Sequence, residues 1–126
     1  MKFIKYYITN KEGKSNCVIR TFCKIFNEEY DNVYNELCRI QKELNCSNYN
    51  DIEVFEKYME NHNFNSIDYG KDIVIKELEL DDDTYIVFCW NKDDFYHMLP
   101  IINNVIYDKK ESSMNLFTLK LYKSQK

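Results

Sequence analysis

Three residues far apart in the chain, Cys17, His97 and Asp108, are of the types that together ionise a thiol and move its proton. Cys17 stands where a polar loop, Asn10 to Asn16 (NKEGKSN), meets an apolar pattern at helical spacing. At such a place the exposed N–H groups and the positive end of the helix dipole favour a thiolate. They can bring a cysteine pKa from ~8.5 into the range of roughly 3.5–7.5. Ionisation alone gains at most about two powers of ten in rate. Cleavage of an amide also needs an acid for the leaving group, and histidine is the usual supplier. The chain has two, His62 and His97.

His97 precedes Asp108 by eleven residues, with Asn103-Asn104 midway. That Asn-Asn pair predicts a hairpin in which Ile102 meets Val105 and Leu99 meets Asp108, because Asn tolerates the left-handed backbone of a tight turn. His97 then stands opposite Lys110. His97 and Asp108 become diagonal neighbours on one face, close enough for a carboxylate to orient an imidazole. Pro100 is at odds with a regular ladder, since in a two-residue hairpin it occupies a hydrogen-bonded position with no N–H to give. A four-residue loop or an edge position would accommodate it and keep the two side chains on one face. A bulge could reverse them.

The elements that must position these groups divide the chain in two. Lys2 to Thr9, rich in Phe, Ile and Tyr, reads as a strand. Val18, Phe22, Ile25 and Phe26 predict a buried helix from about Cys17, capped by Asn16 or Ser15. A second helix should start at Asp31 and bury Val33, Leu37, Ile40 and Leu44. A third should follow Asn50-Asp51 and bury Ile52, Phe55, Tyr58 and Met59, leaving at Asn61-His62-Asn63. From Ile73 the pattern is β-like. Tyr85 to Trp90 and Phe95 to Ile102 are strands joined by a turn at Asn91-Lys92-Asp93-Asp94, and Val105 to Asp108 and Leu116 to Tyr122 complete a sheet. Helices followed by strands predict an α+β fold, N-terminal helices packed on a C-terminal antiparallel sheet, in one domain over residues 1–126.

Composition excludes several classes. The chain has 126 residues, 44% of them hydrophobic and 16% aromatic, which suits one packed core and not a disordered chain. A formal charge of −4 argues against a nucleic-acid binder that relies on overall charge. The longest apolar run, Tyr85 to Trp90, is far short of the ~20 residues that span a bilayer. The N-terminal run is broken by Lys5, so no secretory signal is visible and a cytoplasmic location without membrane attachment is expected. The five cysteines, at 17, 23, 38, 46 and 89, are odd in number and form no CxxC pair, so neither a disulfide framework nor a zinc site is expected. No other metal or cofactor is implied. The absence of alanine beside abundant Asn, Lys, Ile and Tyr reads as an AT-rich coding genome.

The segments NCVIRTFCKIFNEEYDNVYNELCRI, TYIVFCW and FYHMLPIINNVIYD resemble small bacterial and phage-borne members of the papain-like cysteine-peptidase superfamily. There an Asn- or Asp-Cys pair opens a helix, a Tyr-Asp-x-Val-Tyr helix follows, and a strand carries His ahead of a turn and an Asp. The resemblance covers most of residues 16 to 108. It implies a minimal papain-like fold, Cys17 as nucleophile, His97 as general base and acid, and Asp108 as the group orienting His97. Such enzymes usually place a Gln before the Cys to polarise the substrate carbonyl, and here the loop holds no Gln. The Cys17 backbone N–H, with Asn10 or Asn16, is the stand-in.

The expected activity is hydrolysis or acyl transfer at a peptide or amide bond through a thioester, with a peptide or protein as substrate. The alternative is a papain-like scaffold kept as a non-catalytic interaction protein, for example a phage or mobile-element inhibitor of a host enzyme. Each residue also has a reading without chemistry: Cys17 as a helix-start thiol, His97 as a core or strand histidine, Asp108 as a strand-end residue. Cys23 should be core, and Cys38, Cys46 and Cys89 packing residues. His62 should face solvent, Asp81-Asp82-Asp83 form a solvated turn without calcium, and Trp90 serve the core or a cleft wall.

Overall fold

Helix α1, Cys17–Phe26, buries Val18, Ile19, Phe22 and Cys23, one stripe of an amphipathic helix. It ends where Asn27 turns left-handed at φ 54° and returns its N–H to the Cys23 carbonyl. Helix α2, Tyr30–Leu44, buries Val33, Leu37 and Ile40 and stops at Asn45, again left-handed at φ 56°. Asp31 lies inside its first turn instead of before it, where its charge faces the positive end of the dipole. Leu44, expected inside, is exposed because it falls in the last turn beyond the packed stripe. Helix α3, Ile52–Asn61, buries Val54, Phe55, Tyr58 and Met59. Ile52, also expected inside, is 48% exposed at the head of that helix. The three helices meet around Phe22, whose ring stacks on Tyr58 at 4.3 Å.

The computed structural model describes residues 1–9 and 16–125. Among them are six strands: β1 Lys2–Lys5, β2 Phe64–Ile67, β3 Thr84–Trp90, β4 Tyr96–Ile102, β5 Val105–Asp108 and β6 Phe117–Ser124. They form one sheet in the order β1-β5-β4-β3-β6-β2, antiparallel except for the β1–β5 pair. The fold is α+β. The helices cover one face, over Ile86, Met98 and Tyr122. Tyr85, Val87, Cys89, Leu99 and Ile106 pack on the other face, beneath Ile75 and Leu78. With both faces covered, β3 reads as a continuous apolar run and not as an alternation.

Three elements depart from expectation. The first strand ends at Lys5 instead of Thr9. β2 has no counterpart among the expected strands, being four residues long with a polar centre, Asn65-Ser66. The β-like stretch from Ile73 makes only one bridge, Val74 to Phe117, and then a 3₁₀ turn at Ile75–Glu77. Ile75 and Leu78 are buried at a spacing of three, the period of a 3₁₀ turn and not of a strand.

The site depends on where β4 and β5 part. Asn103 and Asn104 form the tight turn, both at positive φ (50° and 61°). The β4–β5 ladder then holds only two pairs, Ile102 with Val105 and Ile101 with Ile106. The expected Leu99–Asp108 pairing does not form. Alternation from the turn points the Ile102, Pro100 and Met98 main-chain groups toward β5, and Pro100 has no N–H to continue the ladder. β5 instead runs beside β1 as far as Lys5–Asp108, and the Tyr6 N–H reaches the Asp108 carbonyl at 2.8 Å. The two strands separate, and the first turn of α1 enters at their divergence.

Candidate functional site

Cys17 is the first residue of α1, half-buried, with Asn16 buried before it. Its thiol shares cavity walls with His97 and Met98, and both act on it electrostatically to favour the thiolate. By strand alternation the Met98 N–H faces the edge that β5 has left, and the Met98 backbone helps to lower the thiol pKa. His97 gives its Nε2 to Asp108 Oδ2 at 2.7 Å, which leaves Nδ1 as the ring nitrogen for Cys17. The expected same-face relation of His97 and Asp108 holds although the β4–β5 ladder ends before it reaches them.

Asp108 is 1% exposed and well supplied with donors. Oδ1 accepts from Arg20 Nη2 at 2.9 Å, and Oδ2 accepts from Ser113 Oγ at 2.5 Å as well as from His97 at 2.7 Å. Arg20, itself 5% exposed, gives its other arm to Asn16 Oδ1 at 2.7 Å. One guanidinium thus ties Asn16, the residue before Cys17, to the carboxylate behind the imidazole. Among the described residues no buried side-chain nitrogen or oxygen lacks a partner.

These contacts decide the charge states. Burial alone would push Cys17 up, but the hydrogen bond and charge of His97, the Met98 backbone and the Arg20 charge outweigh it and lower the thiol pKa. Burial alone would push His97 down, yet Asp108 and Cys17 raise it to about 9. Burial would raise Asp108, and His97, Ser113 and the Lys109 N–H bring it to about 2. Each shift favours a thiolate–imidazolium pair backed by a carboxylate.

Two cavities of about 390 Å³ each flank the pair and share Cys17, Tyr96 and His97 as walls. One runs past Asp108, Lys109, Lys110 and Ser113. The other runs past Val18, Ile52, Phe55 and Phe88. Ile52 is exposed because it forms this rim. Phe95, 51% exposed, stacks on the His97 ring at 5.8 Å, and Tyr96 stacks between Phe88 and Trp90, which makes Trp90 support for a cleft wall.

Asn16 lines the first cavity beside Cys17, makes no side-chain cap bond to α1, and is held by Arg20 instead. Asn10, the other oxyanion candidate, lies outside the described residues, as does Ser15. Cys23 is core, with burial pushing its thiol up to about 11, and Cys89 is fully buried under His97, its Sγ 3.4 Å from the His97 carbonyl. His62 does not simply face solvent: it stacks on Tyr58 at 4.3 Å and bonds Glu36 at 3.0 Å, away from Cys17. Asp81 accepts from Tyr85 and Lys123. Among the described residues no cluster of His, Cys, Asp or Glu could hold a metal ion, and no helix is long and apolar enough to cross a membrane.

No family model, curated protein or solved structure matches this chain. Nothing in these comparisons identifies a papain-like superfamily. Arg20 and Ser113 are the members of this hydrogen-bonded cluster that the sequence pattern does not single out. A signal for Arg20 exists: it is one of two arginines in the chain and interrupts the apolar run Val18-Ile19-Arg20-Thr21-Phe22, three residues after Cys17. A charge inside a buried face needs a buried counter-charge. Ser113 carries no comparable signal.

Proposed function

We propose that this chain is a papain-like cysteine hydrolase or acyltransferase acting on a peptide or amide bond of a cytoplasmic substrate. The observation that carries the reading is His97 held between the Cys17 thiol and the buried Asp108 carboxylate at the meeting of two cavities. The Cys17 thiolate attacks the carbonyl carbon, and the oxygen takes the negative charge. The Cys17 N–H, one of the unpaired donors at the head of α1, stabilises that oxyanion, with Asn16 or Asn10 as the second donor. His97 then gives its Nδ1 proton to the leaving amine as the C–N bond breaks, and a thioester remains. In the second half His97 removes a proton from water, or from an acceptor amine, which attacks the thioester and releases Cys17. Asp108 keeps Nε2 protonated throughout, so the proton traffic passes through Nδ1.

The alternative of a non-catalytic interaction protein would be favoured by a Cys17 sulfur turned into the core or away from His97. Cys17 and His97 sharing the walls of two cavities, each favouring the other's charged form, supports catalysis instead. The test is cleavage of a diverse synthetic peptide pool, read by mass spectrometry, with hydroxylamine added to intercept the thioester. The expected result is cleavage and hydroxamate formation by the native chain and neither by Cys17→Ala. Equal cleavage by the two proteins, or none by the native chain, would overturn the proposal.

A further inference from the structure

The two cavities beside Cys17 and His97 differ in character. In the first, Asp108, the only acidic wall residue among the described residues, is already engaged by Arg20, His97 and Ser113. Lys109 and Lys110 line the same cavity, half-buried and exposed respectively, and neither enters an ion pair among the described residues. This end of the cleft is positive on a chain whose net charge is −4. They follow directly on Asp108, whose carboxylate is anchored by Arg20, His97 and Ser113. The second cavity has apolar walls at Val18, Ile52, Phe55 and Met98, and Asp51, its one acidic residue among those described, accepts from the Asn48 N–H at 3.1 Å. A carboxylate would be attracted at one end and repelled at the other, and an apolar side chain would be desolvated only at the second.

We propose that the groove binds an extended peptide with a carboxylate at the Lys109–Lys110 end and an apolar side chain at the Ile52–Phe55 end, its reacting amide between them. This assignment of substrate class rests on reading Cys17 and His97 as the reacting pair. The carboxylate is either an Asp or Glu side chain or a free C-terminus; both offer the same anionic oxygens to the two ammonium groups.

Occupancy can be read without turnover, as protection of Cys17 from the neutral reagent iodoacetamide. The probes are blocked pentapeptides with Leu-Phe on one side of a Gly-Gly centre and Glu on the other, in both directions. Gln counterparts and versions whose only carboxylate is the C-terminus complete the set. At least one carboxylate peptide should protect at a concentration about three- to tenfold below its Gln or amidated partner. The advantage should vanish in the Lys109→Gln/Lys110→Gln double variant and shrink from low to high salt. An effect of the terminal carboxylate alone assigns the site to chain ends, and an effect of internal Glu assigns it to side chains. Equal protection by charged and neutral peptides, or no protection up to about 5 mM (about −3 kcal/mol), overturns the proposal. The iodoacetamide rate without peptide is the internal reference: if Cys17 reacts no faster than Cys38 at pH 6, it is the reading of the reacting pair that has failed.

Discussion

Replacing Asp108 by Asn removes the charge behind His97 while keeping the shape of the side chain. The His97 imidazolium, held at about 9 against an ordinary 6.5, owes its charged form about 3 kcal/mol of added stability. Burial opposes that form, and Asp108 and Cys17 supply the compensation. With Asn at 108 the burial effect acts against Cys17 alone, and the His97 midpoint is expected to fall by about two pH units. At pH 8 the ring changes from mostly charged to mostly neutral. The readout is the His97 ring-proton resonance tracked by NMR across pH 5–10. Stability against pH reads the site poorly for a reason of sign. His97, raised, contributes stability present below 6.5 and lost as pH rises through about 9. Cys17, lowered, contributes stability gained as pH rises toward its unfolded value, and the two slopes offset. Asp108→Asn also leaves the Arg20 guanidinium without its buried counter-charge, a loss of about 3–5 kcal/mol that can unfold the chain. Ser113→Ala guards against that outcome. It removes one donor from Oδ2, makes the carboxylate more basic and moves His97 upward if it moves at all. A His97 midpoint unchanged in Asp108→Asn, or lowered in Ser113→Ala, would refute the reasoning.

The same geometry sets the outcome of two other substitutions. Arg20→Lys keeps the charge but cannot span Asn16 and Asp108 at 2.7 and 2.9 Å, so urea unfolding should show a loss of about 1.5–3 kcal/mol; a change below about 0.5 kcal/mol would contradict the bridging role. Asn103→Val forces a β-branched residue into φ 50° and should cost about 1–2 kcal/mol in thermal unfolding, while Asn103→Gly stays within a few tenths; equal melting temperatures for the two variants would dismiss the turn as the device that sets the hairpin.

The contact at the centre of the site is legible in the sequence because it depends on local rules. The Asn103-Asn104 turn sets the strand parity, and parity puts His97 and Asp108 on one face. Pro100 is recognisable as incompatible with a full ladder, but the structural consequence of that incompatibility is not. The strands part there, and α1 supplies the atoms that fill the divergence. That is a tertiary event between residues some eighty positions apart. The β1–β5 pairing is equally non-local, and the parallel register of Phe3 with Ile106 leaves no trace in either segment alone. The Ile73–Leu80 stretch misleads because β-branched residues favour strands on average, whereas the burial of Ile75 and Leu78 selects a three-residue period. Ser113 reaches Asp108 through a short 3₁₀ segment, Glu111–Asn115, with no pattern to announce it.

The most direct test of the account is the pH dependence of Cys17 alkylation by iodoacetamide, with the label located by mass spectrometry, in the native chain and in His97→Ala. The native profile should rise at a midpoint clearly below the ordinary thiol value of ~8.5–9, with Cys17 labelled ahead of Cys38 and Cys46 at pH 6. In His97→Ala burial is left largely unopposed, and the midpoint should move to the ordinary value or above, slowing reaction at pH 7 by about tenfold or more. Superimposable profiles for the two proteins would show that the imidazole does not ionise the thiol, and would contradict the account at its centre.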